Sequence, residues 1–172
     1  MNDNMNPVQY AEDVWRKGEP YLAPSAVAYL EEVITPSSKV FEWGAGGSTI
    51  WLAKRVAKVV SIEHQLDWYK KLRVRLANEH IDNVDLEFIS LAFYPVYSQA
   101  ILGYDFHFDL VLVDGRDRVE CIRSAIPKVR PGGFLVLDNS DRPRYEPGIA
   151  LLSDWERLDF TDQWMTSIFR KG

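Results

Sequence analysis

The sequence predicts an α/β protein: a doubly wound, mainly parallel seven-stranded sheet with helices on both faces and a C-terminal antiparallel hairpin. Three observations predict it. From residue 39 to residue 137, short apolar runs alternate with stretches of helical periodicity, the pattern of successive βαβ units. A glycine turn, Gly44-Ala45-Gly46-Gly47, joins the first apolar run directly to a helical one. Near the end, two strand-like runs stand too close together for a parallel crossover, which takes roughly a dozen residues or more.

The elements follow in order. Val8 to Lys17 reads as a short helix, after which Gly18-Glu19-Pro20-Tyr21-Leu22-Ala23-Pro24 is a loop. Ser25 is a good cap for a second helix, whose face is Val27, Leu30, Val33 and Ile34. Thr35-Pro36-Ser37-Ser38 ends it, and the first strand begins at Lys39. Lys58 to Glu63 is a second buried strand, followed by a helix with Tyr69, Leu72 and Leu76 inward. Val84, Leu86 and Phe88 alternate as a third strand, and Phe108 to Val113 is a fourth, strongly apolar as central parallel strands are. Val119, Ile122, Ile126 and Val129 give the next helix its face, Pro131-Gly132-Gly133 stops it, and Phe134 to Leu137 is the fifth strand. Glu156 to Thr161 and Trp164 to Arg170, separated by Asp162-Gln163, form the hairpin.

In open α/β sheets ligands bind beyond the carboxyl ends of the strands. Strand one ends in Glu42-Trp43-Gly44-Ala45-Gly46-Gly47-Ser48-Thr49. Glycines let the backbone turn sharply and approach a ligand, and Ser48 or Thr49 can cap the helix that follows. A dinucleotide fingerprint would need glycine at 49, where the chain has Thr49. The acid Glu42 would repel a pyrophosphate and attract an ammonium group. Glu63 ends strand two nineteen residues after Gly44, where a ribose-binding carboxylate belongs.

On these residues the sequence resembles the class I methyltransferase family. Its first motif, an acid, any residue, then Gly-x-Gly-x-Gly, matches Glu42, Gly44 and Gly46, with Ser48 at the third glycine. The resemblance covers residues 39 to 170 and implies a single domain over 1–172, with a helical segment at 1–38 and a cofactor-binding core at 39–172. It implies S-adenosylmethionine as cofactor, held by Glu42, Gly44, Ala45, Gly46, Gly47, Ser48, Glu63, His64, Ser90 and Asp114. Glu63 would accept hydrogen bonds from both ribose hydroxyls, Ser90 would face the adenine, and His64 would either touch the adenosine or cap the next helix.

Strand four is followed by Asp114-Gly115-Arg116-Asp117-Arg118 and strand five by Asp138-Asn139-Ser140-Asp141-Arg142. Two carboxylates and an amide at adjacent strand ends are hard oxygen ligands suited to Mg²⁺ or Mn²⁺. The pattern is similar to metal-dependent catechol-type O-methyltransferases, which implies Asp114, Asp138 and Asn139 as ligands and places Asp117 where those enzymes carry a lysine base. Without a metal, Asp114 itself is the base or orienting acceptor. Arg116, Arg118, Arg142 and Arg144 share these loops. They either clamp a phosphate, carboxylate or acidic sugar, or pair with Asp117, Asp141 and Glu146 on a solvated rim. The aromatic stretch from Phe93 to His107 reads as a pocket wall, as core packing or as a subunit interface.

The composition sets the remaining bounds. A net charge of −5, from 20 basic against 25 acidic residues, points away from nucleic acid and anionic membranes. No signal or membrane-length apolar run is present, the polar Met1 to Asn6 is expected to fray, and Cys121 is a lone cysteine within a helical pattern. The expectation is a cytoplasmic O-methyltransferase of a small-molecule or sugar-type acceptor, possible as a homodimer. A cofactor-binding scaffold without turnover and an NAD-dependent oxidoreductase are the competing readings.

Overall fold

The computed structural model describes residues 7–162 and 164–172. The polar start and Gln163 of the expected hairpin gap lie outside them. The chain forms α1 (Pro7–Lys17), α2 (Pro24–Val33), β1 (Lys39–Trp43), α3 (Gly47–Ala53), β2 (Lys58–Glu63), α4 (Leu66–Asn78), β3 (Val84–Phe88), α5 (Val96–Gln99), β4 (Phe108–Val113), α6 (Arg118–Ala125), β5 (Val129–Asp138), α7 (Glu146–Ala150), β6 (Glu156–Phe160) and β7 (Thr166–Arg170). The seven strands make one sheet in the order β3-β2-β1-β4-β5-β7-β6. The first five are parallel; β7 runs antiparallel to both β5 and β6.

Side chains alternate across a strand, so the central strands feed two cores. Phe41, Trp43, Val111, Val113, Leu135 and Leu137 pack on one face with Cys121, Ile122 and Ala125 of α6. Val40, Leu110, Leu112 and Val136 pack on the other with Ala26 and Leu30 of α2 and Trp51 and Leu52 of α3. Leu72 and Leu76 of α4 close a smaller cluster with Ile50. Both faces of the sheet are therefore covered, and ligand access is left at the strand ends.

Four local expectations are corrected. Ser25 does not cap α2: the helix starts one residue earlier, at Pro24, after Ala23, and the Ser25 N–H instead donates to Asp162 at 2.6 Å. Proline suits that position because its missing N–H has no helical partner there. Val129 belongs to β5 and not to the helix face, since α6 ends at Ala125. β5 runs straight through Pro131-Gly132-Gly133, where Gly132 has φ 73° and both glycines exchange backbone hydrogen bonds with Lys171. Neither Ser48 nor Thr49 is the N-cap of α3, which is Gly46; the Gly46 N–H donates to Thr49 Oγ1 at 2.9 Å.

Candidate functional site

The sheet ladder continues past the ends of the inner strands. Gly44 N–H donates to Ile62 O and Asp114 N–H to Trp43 O, each at 3.0 Å. These bonds bring the ends of β1, β2 and β4 together around a cleft of about 490 Å³, lined by Gly44, Ala45, Glu63, His64, Gln65, Trp68, Asp114 and the loops after β4 and β5. A second cavity of about 200 Å³ lies on the other side of the glycine loop, beneath α1, with Trp15, Glu19, Tyr21 and Ser48 in its wall. Gly44, Ala45, Trp68 and Asp114 line both. Together they have the size of a site for a cofactor of nucleoside dimensions.

The glycines of the turn have separate duties. Gly44 has φ 95°, and a Cβ there would stand 2.8 Å from Gly115 N, so it serves the turn and the approach to the β4 loop. Gly47 faces the protein: a Cβ would meet Glu19 O at 2.1 Å. Gly46 lines the second cavity with space around it: a Cβ there would come no nearer than 3.9 Å to a neighbour, Trp68 Nε1. Trp68 is held by its Nε1–H, which donates to Ala45 O at 2.6 Å.

Glu42 is fully buried and turns away from the cleft. Ser61 stands beside it in register on β2, and the Ser61 hydroxyl donates to Glu42 Oε2 at 2.6 Å. Thr49 donates to the same oxygen at 2.5 Å and Ser48 to Oε1. Burial pushes the Glu42 carboxyl up from its ordinary value, while the three hydroxyls pull it back. The expected direct attraction of an ammonium group is therefore replaced by a structural duty: Glu42 anchors α3 to β1 and β2. Ser48, where the motif has a third glycine, supplies one of the anchoring hydroxyls.

Glu63 is 3% exposed, and its Oε1 accepts the His64 and Gln65 N–H groups at 2.8 and 2.6 Å. Burial raises its pKa and those N–H bonds lower it. The Ala45 N–H lowers it as well, so the carboxylate is fixed at the cleft wall by backbone donors. His64 Nδ1 lies 3.1 Å from Glu63 Oε1 without hydrogen-bond alignment. Burial and the Arg116 charge both lower the His64 pKa, so the ring faces Glu63 as a neutral group. Ser90 is not brought to either cavity; its hydroxyl accepts the Ala92 N–H at 3.2 Å and closes a turn.

Asp114 sits at the floor, with 26% of its side chain open to the cleft. Burial, and then the charge of the neighbouring Asp138, raise the Asp114 pKa well above the usual carboxylate range, with Arg118 opposing; burial also raises Asp138. Arg118, 7% exposed, ties the two strand ends together. It donates to Gly115 O at 3.0 Å, Asp114 O at 2.7 Å, Asp114 Oδ1 at 2.8 Å and Asp138 O. Thr166, opposite Asp138 on β7, donates to Asp138 Oδ1 at 3.0 Å and accepts the Ala23 N–H at 3.1 Å.

This arrangement does not fit the expected divalent cation. Asp114 already holds the Arg118 guanidinium at 2.8 Å, and Asp138 Oδ1 is taken by the Thr166 hydroxyl at 3.0 Å, so neither carboxylate is left free for an ion. Asn139 stands at φ 48° in the turn after β5, its backbone carbonyl accepting the Arg142 N–H at 3.2 Å, and it lines neither cavity. Among the described residues no group of three or more His, Cys, Asp or Glu side chains is placed to hold a metal.

Asp117 is not brought to the main cleft. It precedes α6 at φ 49°, its carbonyl accepts the Cys121 N–H, and it lines only a side cavity of about 220 Å³ with Arg116, Arg144 and Tyr145. Burial raises its pKa and one carboxylate oxygen, Oδ2, has no partner among the described residues. Cys121 is a fully buried core residue, as its helical setting suggests. Tyr97, from the aromatic stretch, is 1% exposed beneath the β4 loop, its carbonyl accepting Trp43 Nε1–H and its hydroxyl the Arg116 N–H. Trp68, Tyr145 and Trp15 are site residues that the motif did not reveal. Trp68 was findable, standing in the first turn of the helix that follows Glu63.

The protein has the Rossmann-like fold of class I methyltransferases. It is similar to a methyltransferase-like protein from Silicibacter pomeroyi, at 21% identity and TM-score 0.72, over 89% of this chain and 88% of the other. It is similar also to a methyltransferase from Geobacter sulfurreducens, at 16% identity and TM-score 0.70, over 100% and 93% of the two chains. A third is a candidate methyltransferase from Streptococcus mutans solved in complex with S-adenosylhomocysteine, at 13% identity and TM-score 0.64, over 98% and 99%. No family model matches the chain, and no curated protein does. Among the described residues no helix is long and apolar enough to cross a membrane.

Proposed function

We propose that the protein is an S-adenosylmethionine-dependent methyltransferase acting on an oxygen of a small-molecule or sugar-type acceptor. One observation carries the reading: Gly46, Glu63 and Asp114 meet across a single two-lobed cleft at the carboxyl end of a class I methyltransferase sheet. The donor set fits the cofactor. Glu63 is an acceptor-only carboxylate at the place of two ribose hydroxyls, Gly46 leaves room for close approach, and Trp68 offers a ring wall. His64 and Gln65 extend that wall, while Gly44, Ala45, Gly47 and Ser48 shape the loop. Ser90 reaches the cofactor only if its turn opens.

The cofactor supplies an electrophilic methyl on a sulfonium; the O–CH₃ bond forms as the S–CH₃ bond breaks, and sulfur keeps the electron pair. The work of the chain is alignment of the acceptor oxygen to about 3 Å from the methyl carbon. Asp114 is the group at the floor able to accept the hydroxyl proton, and Arg118 and Asp138 orient it. Tyr21, stacked on Trp164 at 4.7 Å and raised in pKa by burial and by the charges of Asp138 and Asp114, walls the same floor from the N-terminal segment. Asp117 is left with a role at the side cavity.

Formation of S-adenosylhomocysteine across a panel of hydroxylated acceptors tests the activity. The reading predicts turnover with at least one acceptor and a loss of about 100-fold or more in Asp114→Asn. Cofactor binding with no turnover on any acceptor, and none changed by Asp114→Asn, would return the scaffold reading. Thermal protection by NAD and not by S-adenosylhomocysteine would return the oxidoreductase.

A further inference from the structure

The geometry points to an oxyanion-binding subsite at the mouth of the cofactor cleft, formed by Arg116, Arg142 and Arg144, which selects acceptors bearing a phosphate or carboxylate group. The inference rests on the methyltransferase reading for the word acceptor, but the subsite itself rests on the arginines.

The ion-pair pattern singles them out. Every other arginine among the described residues is paired with a carboxylate, apart from Arg73, which lies over the Tyr69 ring. Arg116, Arg142 and Arg144 form no ion pair with a described residue, although Asp117, Asp141 and Glu146 adjoin them in sequence. The rim-pairing alternative is thereby removed. All three line the main cleft, from two different loops. Arg116 and Arg144 also line the adjoining cavity of about 220 Å³, which shares Gly115 and Tyr145 with the cleft.

Their surroundings keep the charge available. Arg118 lies deeper and spends its donors on Asp114 and on carbonyls. Arg144 rests its guanidinium 4.9 Å over the Tyr145 ring, with Arg118 5.2 Å from the same ring. Such stacking fixes the plane of a guanidinium and leaves its N–H fork free for bidentate oxyanions. With Arg118, these three put four cations against the two carboxylates Glu63 and Asp114 in the lining of the cleft, which favours small anions there in a protein of net charge −5. The sequence spacing alone shows no basic stripe of the length that a nucleic-acid backbone needs, so the ligand is a small anion.

Calorimetric titration of inorganic phosphate tests the subsite, in wild type and in the Arg142→Gln/Arg144→Gln double variant, each free and saturated with S-adenosylhomocysteine. Both substituted residues are exposed, and the thermal midpoint reports that the fold is retained. The expected result is one saturable phosphate site in wild type, weakened at least about tenfold in the double variant, with S-adenosylhomocysteine affinity changed less than about twofold. Absence of saturable phosphate binding in wild type, or equal binding in the variant, overturns the subsite. A parallel loss of S-adenosylhomocysteine affinity also overturns it, because the arginines would then hold the cofactor's own carboxylate. Displacement of phosphate by a short RNA hairpin but not by a sugar phosphate overturns the small-anion assignment. Failure of wild type to bind S-adenosylhomocysteine refutes the methyltransferase reading alone, since the phosphate titration of the free protein still reports on the arginines.

Discussion

Replacing Ser48 with glycine restores the residue that the class I motif has at that place, and the structure predicts that it destabilises the protein. The Ser48 hydroxyl donates to Glu42, which is fully buried between β1, β2 and α3. A hydrogen bond to a charged group contributes about 1.5–3 kcal/mol, less where the carboxyl is partly protonated. Burial raises the Glu42 pKa, which places the expected loss near the lower end. Glycine in place of serine within a helix costs about 0.5 kcal/mol more. The sum is about 2 kcal/mol, or a fall of about 4–8 °C in the thermal midpoint for a chain of this size. Ser48→Ala isolates the hydroxyl and should retain most of the fall. Differential scanning calorimetry of both variants at pH 7 is the assay. Midpoints within about 1 °C of wild type for both would refute the view that Glu42 is an anchoring group supported by Ser48.

The other predictions use the same geometry. Gly47→Ala forces a Cβ against the Glu19 carbonyl and should lower the midpoint strongly, whereas Gly46→Ala should leave it within about 2 °C and weaken S-adenosylhomocysteine binding instead; calorimetry and titration of the pair separate the two duties. Glu42, Glu63, Asp114 and Asp138 all have raised folded-state pKa values. Their contribution is fully present below the ordinary carboxylate range of about 4 and is lost as pH rises through the raised values. Stability should therefore fall as pH rises above about 4, with a shallower slope in Asp138→Asn; a midpoint that instead rises from there contradicts these environments. Because Arg118 occupies Asp114 and Thr166 occupies Asp138, activity should be equal with and without a chelator, and dependence on Mg²⁺ or Mn²⁺ would show that the site rearranges to admit an ion.

Strand identity was legible because the parallel core buries both faces of each strand, so Leu110 to Val113 had to be an unbroken apolar run. The start of β5 was not, because Pro131-Gly132-Gly133 is a helix stop by local chemistry and becomes strand only through pairing with Lys171, far away in sequence. The placement of Glu63 and Asp114 was legible from strand ends alone. The inward turn of Glu42 was not, since it depends on Ser61 standing opposite across the sheet. Arg118 is the sharpest case: spacing groups it with Arg116, Arg142 and Arg144, but the carbonyls of Asp114 and Asp138 converge on it only in the fold. Its loss to structure is what distinguishes the three free arginines from it.

The central claim is that the two-lobed cleft around Gly46, Glu63 and Asp114 holds the methyl-donor cofactor. Isothermal titration of S-adenosylhomocysteine into wild type and Glu63→Ala measures it directly. The account predicts one site per chain, with affinity reduced at least about tenfold in the variant, the value of about 1.4 kcal/mol or more of lost ribose hydrogen bonding. No binding to wild type at millimolar ligand, or equal binding by the variant, would contradict it.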